Sequence, residues 1–336
     1  MTLRRLHPFR LVAALLVVLG IIVVPTSTAV FAQASTAANG LEITPVLAEL
    51  SLDKGEVRTV DIKVHNITAS DLFFETIVND FGAKDETGTP SIVLDEDVAP
   101  LSTSIKTWVT NVPAFALAPN ESTTVKAVIT VPNNAEPGGH YGVIRFAGHG
   151  KQTDTGNVGQ IASAGTLILI TVKGNVHESL QLASFESTKD GKQSSMFESG
   201  PITFVSRFTN DGTVHVKPIG QINIKDTFGN SVATLPVNPT KGNVLPNSTR
   251  RFESTLDKSW LFGHYTADLA VAYGDNGQAI VNTISFWVIP WRIVIVGILL
   301  LVTFIYIARK VIQRYNQYII SKDRQKNKDS KKKRES

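Results

Sequence analysis

The sequence predicts an all-β body of two antiparallel sandwiches carried on a single transmembrane helix, and three observations predict it. Between residues 41 and 289 short segments alternate apolar and polar residues, and no stretch sustains a 3.6-residue period. Three landmarks in that body recur in the same order. Apolar runs stand only at the two ends, each beside basic residues. With 336 residues the chain can hold about two domains of ordinary size. Hydrophobic residues make 43% and charged residues 18%, which excludes a wholly disordered chain. Cysteine is absent, so disulfides, thiolate metal sites and cysteine nucleophiles are excluded.

At the start, Arg4, Arg5 and Arg10 precede the apolar run Leu11 to Val24, and small polar residues follow. Residues 1–34 read as a secretory signal peptide, cleaved after Ala32 or Ala34. The run is short for a membrane span, which takes about 20 residues. An uncleaved anchor is the other reading.

In the body, Val60, Ile62 and Val64 alternate with Asp61 and Lys63, and Val125, Ala127 and Ile129 with Lys126 and Thr130. Ile222 and Ile224, and Leu269, Val271 and Tyr273, repeat the pattern later. These are half-buried strands, and the turn residues between them suit antiparallel sandwiches. The repeat sets the boundaries. Val64-His65-Asn66 answers to Phe208-Thr209-Asn210, Pro119-Asn120 to Pro246-Asn247, and Gly139-His140-Tyr141 to Gly263-His264-Tyr265. Residues 41–174 thus form a membrane-distal sandwich and 175–289 a membrane-proximal one. Tyr141 and Tyr265 read as structural corners, each opening the penultimate strand with its hydroxyl bonded to backbone. The closing strands are expected at 161–173 and 279–289. Leu167, Ile168, Leu169 and Ile170 are apolar on both faces of the first of these, so one face needs cover. The second sandwich is expected to supply it, with self-association as the rival.

The C-terminal apolar run, Ile293 to Ala308, lies between Trp291 and Tyr306, and residues 291–308 read as a transmembrane helix. Residues 309–336 carry 11 Lys or Arg against 3 Asp or Glu, a basic tail that the positive-inside rule puts in the cytoplasm. The overall net charge of +4 is thus set by the ends. The body is acidic and is not expected to bind nucleic acid. Only Pro290 separates the last strand from the helix, so no flexible stalk is expected.

Signals for catalysis are poor. There is no Gly-x-Ser-x-Gly elbow, no phosphate loop and no paired histidine ligand motif, so neither enzyme activity nor a cofactor is expected. Asp95, Glu96 and Asp97, near Asp80, Asp85 and Glu86, form either a solvated acidic loop or a set of oxygen ligands for Ca²⁺. The segment from Asp80 to Ser104 is long for a strand connection and is a candidate binding loop. Trp108, just after it, is either a core tryptophan or a sugar-stacking platform. Sequons occur at Asn66, Asn120 and Asn247, and the last two read as turns because each follows proline.

The layout resembles the WxL-interacting protein family of Gram-positive cell surfaces. The residues that carry the likeness are Ile43-Thr44-Pro45-Val46, Val64-His65-Asn66, Pro132 to Tyr141 leading into Gly142-Val143-Ile144-Arg145-Phe146, and Phe208 to Gly212 before Gly220 and Gly229-Asn230. The resemblance implies two tandem immunoglobulin-like domains, a distal one binding peptidoglycan and a proximal one binding host or partner proteins. It implies no individual binding residues. The leading expectation is a bacterial extracellular adhesion or binding protein at the cell membrane, contacting peptidoglycan or a secreted or surface protein. A structural or accessory subunit of a membrane complex is the alternative. A glycan hydrolase, using Asp95 or Asp97 in a carboxylate pair, ranks below both.

Overall fold

A computed structural model describes residues 40–94, 101–150 and 160–332, with the side chains of 160–162 and 323–332 left out of the description. The expected signal peptide and the triad Asp95, Glu96 and Asp97 lie outside the described residues. The described residues fall in one compact unit. They are mostly strand, followed by one C-terminal helix.

Eleven strands come first: β1 (Leu41–Thr44), β2 (Leu47–Leu52), β3 (Val57–Asn66), β4 (Leu72–Asn79), β5 (Phe81–Ala83), β6 (Pro90–Ile92), β7 (Val109–Thr110), β8 (Phe115–Leu117), β9 (Ser122–Thr130), β10 (Gly138–His149) and β11 (Gln160–Val172). One sheet has the order β1-β3-β9-β7 and the facing sheet β2-β11-β10-β4-β8, with β5 and β6 as a separate hairpin. The alternation in β3 places Val60, Ile62 and Val64 in the core and Asp61 and Lys63 in solvent. Pro45 sits where the chain crosses from one sheet to the other, and its carbonyl accepts the Thr166 hydroxyl at 2.7 Å.

Nine strands follow: β12 (Leu180–Lys189), β13 (Lys192–Gln193), β14 (Met196–Phe197), β15 (Ile202–Asn210), β16 (Ile219–Asp226), β17 (Ser231–Val237), β18 (Ser248–Leu256), β19 (Gly263–Tyr273) and β20 (Gln278–Val288). Their sheets have the orders β13-β12-β15-β18 and β14-β20-β19-β16-β17. Each sheet pair encloses its own core, one around Ile62, Phe74, Ile144 and Phe146, the other around Phe204, Phe208, Ile222 and Phe286.

The repeated asparagines do equivalent work. Asn66 and Asn210 are fully buried at the ends of β3 and β15. Asn66 Nδ2 donates to the carbonyls of Ser70, Leu117 and Ala118, and Asn210 Nδ2 to those of Val214 and Val244. Asn120 and Asn247 adopt φ of 58° and 55° in the turns that open β9 and β18. Asparagine reaches this left-handed region more readily than most residues, as the preceding prolines lead one to expect of a turn.

Helix α1 runs from Trp291 to Lys332, well beyond the expected 291–308. No proline interrupts residues 291–332, and the basic and glutamine residues after Ala308 are good helix formers. Its apolar stretch is long enough to cross a membrane, and the other described residues bury none of it.

Candidate binding cleft

Strands β10 and β11 lie in the middle of their sheet and are covered on both faces. Their inner side chains, Ile144, Phe146, Ile168 and Ile170, enter the first core. On the other face Tyr141, Val143, Leu167 and Leu169 gather with Phe81, Ile92 and Leu245, the last contributed by the second sheet pair. So Leu167 and Leu169 meet the second sheet pair, whereas Ile168 and Ile170 of the expected interface strand are core residues. Two-sided burial explains why 167–172 is apolar without alternation.

Polar links surround this apolar seam. The Gly139 amide donates to the Thr213 carbonyl at 2.8 Å. Glu86, from the β5–β6 hairpin, accepts from Arg207 Nε at 2.7 Å, and its carbonyl accepts the Arg251 amide at 2.7 Å. Arg207 is also held by Glu186, and these two carboxylates raise its pKa further above the ordinary value. Glu49 on β2 pairs with Lys217 and accepts from Asn243 Nδ2 at 2.6 Å. The Tyr141 hydroxyl lies 3.4 Å from His215 Nδ1.

Beside these links a cavity of about 250 Å³ opens between the sheet pairs. Leu47, Phe81, Leu167, Leu169 and Leu245 form its apolar wall, and Arg250 lies at its edge. The Arg250 guanidinium packs against Gly88 and Gly242, where any β-carbon would stand within 2.1 Å and 2.6 Å of it respectively. One of its nitrogens donates to the Asn243 carbonyl at 2.7 Å, while Nε is buried without a partner among the described residues. Burial pulls the pKa of this arginine down, but the group stays charged at any ordinary pH.

The acid–base balance of the seam gives a testable pH dependence. Burial by itself would raise Glu49; hydrogen bonds from Lys217 and Asn243 and the Lys217 charge outweigh it, leaving the carboxyl below its ordinary 4.5. Burial lowers His215 below its ordinary 6.5, with Lys217 adding to the shift and Glu49 opposing it. Burial also pushes the Tyr141 phenol well above its usual range. A depressed histidine contributes stability that is complete above the unfolded value and is lost as pH falls through the folded value. A depressed carboxyl behaves in the same sense, one range lower. The urea midpoint is therefore expected to fall in two stages on acidification, below pH 6.5 for His215 and below pH 4.5 for Glu49. His215→Gln should remove the first stage and keep the second; a parent midpoint that stays flat from about pH 7 to about pH 5 would contradict this.

The other sequence candidates fall elsewhere. Trp108 is a core residue, its ring centroid 4.5 Å from that of His140. The hydroxyl of Tyr265 donates to the Phe262 carbonyl at 3.2 Å, a backbone corner, whereas that of Tyr141 meets a side chain of the second sheet pair. Asp80 is buried with Lys106 at 3.6 Å, Asp85 accepts from the Thr87 amide and hydroxyl, and Glu86 serves the seam. Among the described residues no acidic or histidine cluster could hold a metal ion. Asn66, with its amide committed inside the fold, is no sugar acceptor. Sequence reasoning missed Glu49, Lys217, Arg207 and Arg250; the side-chain partners that Glu49, Lys217 and Arg207 meet across the seam lie 121 to 194 residues away, and Arg250 bonds to backbone, so no local signal points to them.

No family model matches the chain, and no curated protein does. Among solved structures it is similar to a chain of a chaperone–tip adhesin complex of CFA/I fimbriae biogenesis, with 11% identity over 72% of this chain and 98% of that one, at a TM-score of 0.35. It is also similar to the YadV chaperone, with 10% identity over 74% and 100% and a TM-score of 0.35. The Escherichia coli chaperone DraB gives 11% identity over 74% and 96%, with a TM-score of 0.30.

Proposed function

We propose that this chain is a non-enzymatic surface protein anchored by one membrane span, which binds a secreted or surface protein in the seam between its two sheet pairs. Each pair is read as an immunoglobulin-like sandwich and as a domain of its own. In the first, β1-β3-β9-β7 takes the A-B-E-D positions of that fold and β11-β10-β4 the G-F-C positions. The basic residues after α1's apolar stretch put the C-terminus in the cytoplasm and the body outside.

The observation that carries the partner class is the size and chemistry of the cavity. Small-molecule pockets usually measure about 300–1,000 Å³. A space of about 250 Å³ with an apolar wall and one guanidinium instead suits one or two side chains of a protein, with an acceptor beside Arg250. In the test, full-length chain in detergent is incubated separately with purified peptidoglycan and with the secreted proteins of its source cell. A secreted protein should be retained, and Leu47→Asp, at an exposed position of the cavity wall, should abolish retention. Retention on peptidoglycan alone would move the partner to glycan; retention on neither would end the reading.

The alternative, a subunit of a membrane complex, is favoured by one feature of α1. Beyond its apolar run, Val311, Ile312, Tyr315, Tyr318 and Ile319 are exposed at spacings of three and four residues, which form one helix face. A monomer in mild detergent would count against it.

A further inference from the structure

The loops at one end of the second sheet pair carry aromatic side chains that the fold does not bury. Phe228 is 88% exposed, Trp260 81% and Phe262 70%. Strand pairing brings them to the same end. Gly263, which follows Phe262, pairs with Val288; Asp226, two residues before Phe228, pairs with Tyr265. The Thr227 hydroxyl donates to the His264 carbonyl at 3.0 Å, and Lys258 Nζ to the Val232 carbonyl at 2.8 Å, so the two loops are tied to each other's strands. Val288 is also the last residue of β20, and α1 begins three residues later at Trp291. Trp287 and Trp291 flank this exit, so three of the chain's four tryptophans lie here.

Both loops are rigidly built. The Asp226 carboxylate accepts the amides of Phe228 and Asn230 at 2.9 Å each, and the Asp226 carbonyl accepts the Gly229 amide at 3.0 Å. Gly229 turns the chain at φ 83°, which leaves Phe228 at the tip. In the other loop Leu261 is anchored in the second core, and the Tyr265 hydroxyl bonds both the amide and the carbonyl of Phe262. Trp260 and Phe262 are thereby held outward on either side of a buried leucine. The nearby charges suit a headgroup layer: Arg292 is paired with Glu198 at 3.1 Å, and Lys258 is cationic. Asp257, at the start of the loop, lies next to Leu256, the end of β18.

Exposed apolar groups in a cluster mark an interaction surface, and aromatic rings concentrate where hydrocarbon meets headgroups. We infer that this end of the second sheet pair is a membrane-embedding foot, in which Phe228, Trp260 and Phe262 sit in the interfacial layer of the same leaflet that α1 enters. The occupant is a lipid surface because the span leaves from this very end with only Ile289 and Pro290 between strand and helix. The inference rests on the reading of α1 as a membrane span. Its consequence is mechanical: a foot on two loops and a helix fixes the tilt of the body, where a helix alone would leave it free to swing.

The test reconstitutes the full chain in phosphatidylcholine vesicles containing lipid brominated near the headgroup, a quencher of indole fluorescence. The variant Trp287→Phe with Trp291→Phe keeps Trp260 and the core Trp108. Trp260→Phe with Trp287→Phe keeps Trp291 and Trp108, and replacing all three leaves Trp108 as the baseline. Above that baseline, Trp260 and Trp291 emission should each be largely lost. Quenching of Trp291 without quenching of Trp260 would overturn the foot and leave the span standing. Quenching of neither would overturn both. Because the chain has no cysteine, Trp260→Cys carrying a spin label offers a second measurement of depth if the tryptophan variants fold poorly. Accessibility to a water-soluble relaxing agent, without accessibility to oxygen in the bilayer, would again overturn the foot.

Discussion

Phe204→Ala is expected to destabilise the second sheet pair by about 3–5 kcal/mol while leaving the first nearly unchanged. Phe204 is fully buried on β15, with its ring 5.5 Å from Phe286 and 6.3 Å from Phe185. Phe286 in turn stacks on Tyr265 at 5.5 Å and meets Phe197 at 6.1 Å. Phe286, held by a stacked ring on one side and an edge-on ring on another, cannot slide into the vacated site, so the full cavity cost remains. None of these rings belongs to the first core. Segment-resolved hydrogen exchange checks both halves of the expectation. Amides of β15 and β18 should lose protection by two to three orders of magnitude, about 1.4 kcal/mol for each tenfold step, with those of β3 and β9 holding theirs. Equal loss in β3 and β9 would mean that the polar links across the seam fuse the two cores into one cooperative unit, and the division into two domains would fail.

What could be read from the chain follows from how each element meets solvent. β3 shows its alternation because one face is wet and the other dry. β10 is buried along nearly its whole length, so the two-residue period disappears and only the need for cover on a second face can be read from the adjoining 167–172. The apolar run from Ile293 is plain, yet the further helical turns past Ala308 are not, because mixed polar and apolar residues there read as a tail. Trp108 looks the same in sequence whether it packs in a core or stands on a surface; only the ring of His140 beside it decides. The seam is the least legible part. Glu86 and Arg207 are 121 residues apart, Glu49 and Lys217 168 apart, and a single charge in sequence names no partner. The foot is hidden in a similar way, since Phe228 and Trp260 come together only through the pairing of β16 with β19.

Asn210→Ala is expected to cost at least about 3 kcal/mol, although it removes only a small side chain. Asn210 Nδ2 donates to the carbonyls of Val214 and Val244 at 2.8 Å each, and Oδ1 accepts the Gly212 amide at 2.8 Å, all in a buried setting. Each buried backbone group left without a partner costs about 1–3 kcal/mol, and three are affected at once. Replacement water has little room: a β-carbon on Gly212 would already lie 2.4 Å from the His177 carbonyl and 3.0 Å from Oδ1. Asn210→Asp should fail as well, because a carboxylate keeps the acceptor but turns it against two carbonyl oxygens. Asn66→Ala, at the equivalent position, should cost less, since two of its carbonyl partners and its Thr68 contacts are only partly buried and water can reach them. The loop that Asn210 fastens carries Thr213, His215 and Lys217, three of the residues that face the first sheet pair. Loss of the asparagine should therefore also free the seam and flatten the acid dependence assigned to His215. Urea denaturation of the two alanine variants at neutral and mildly acid pH measures both effects. A cost below about 1 kcal/mol for Asn210→Ala would show that the buried amide is replaceable by solvent after all.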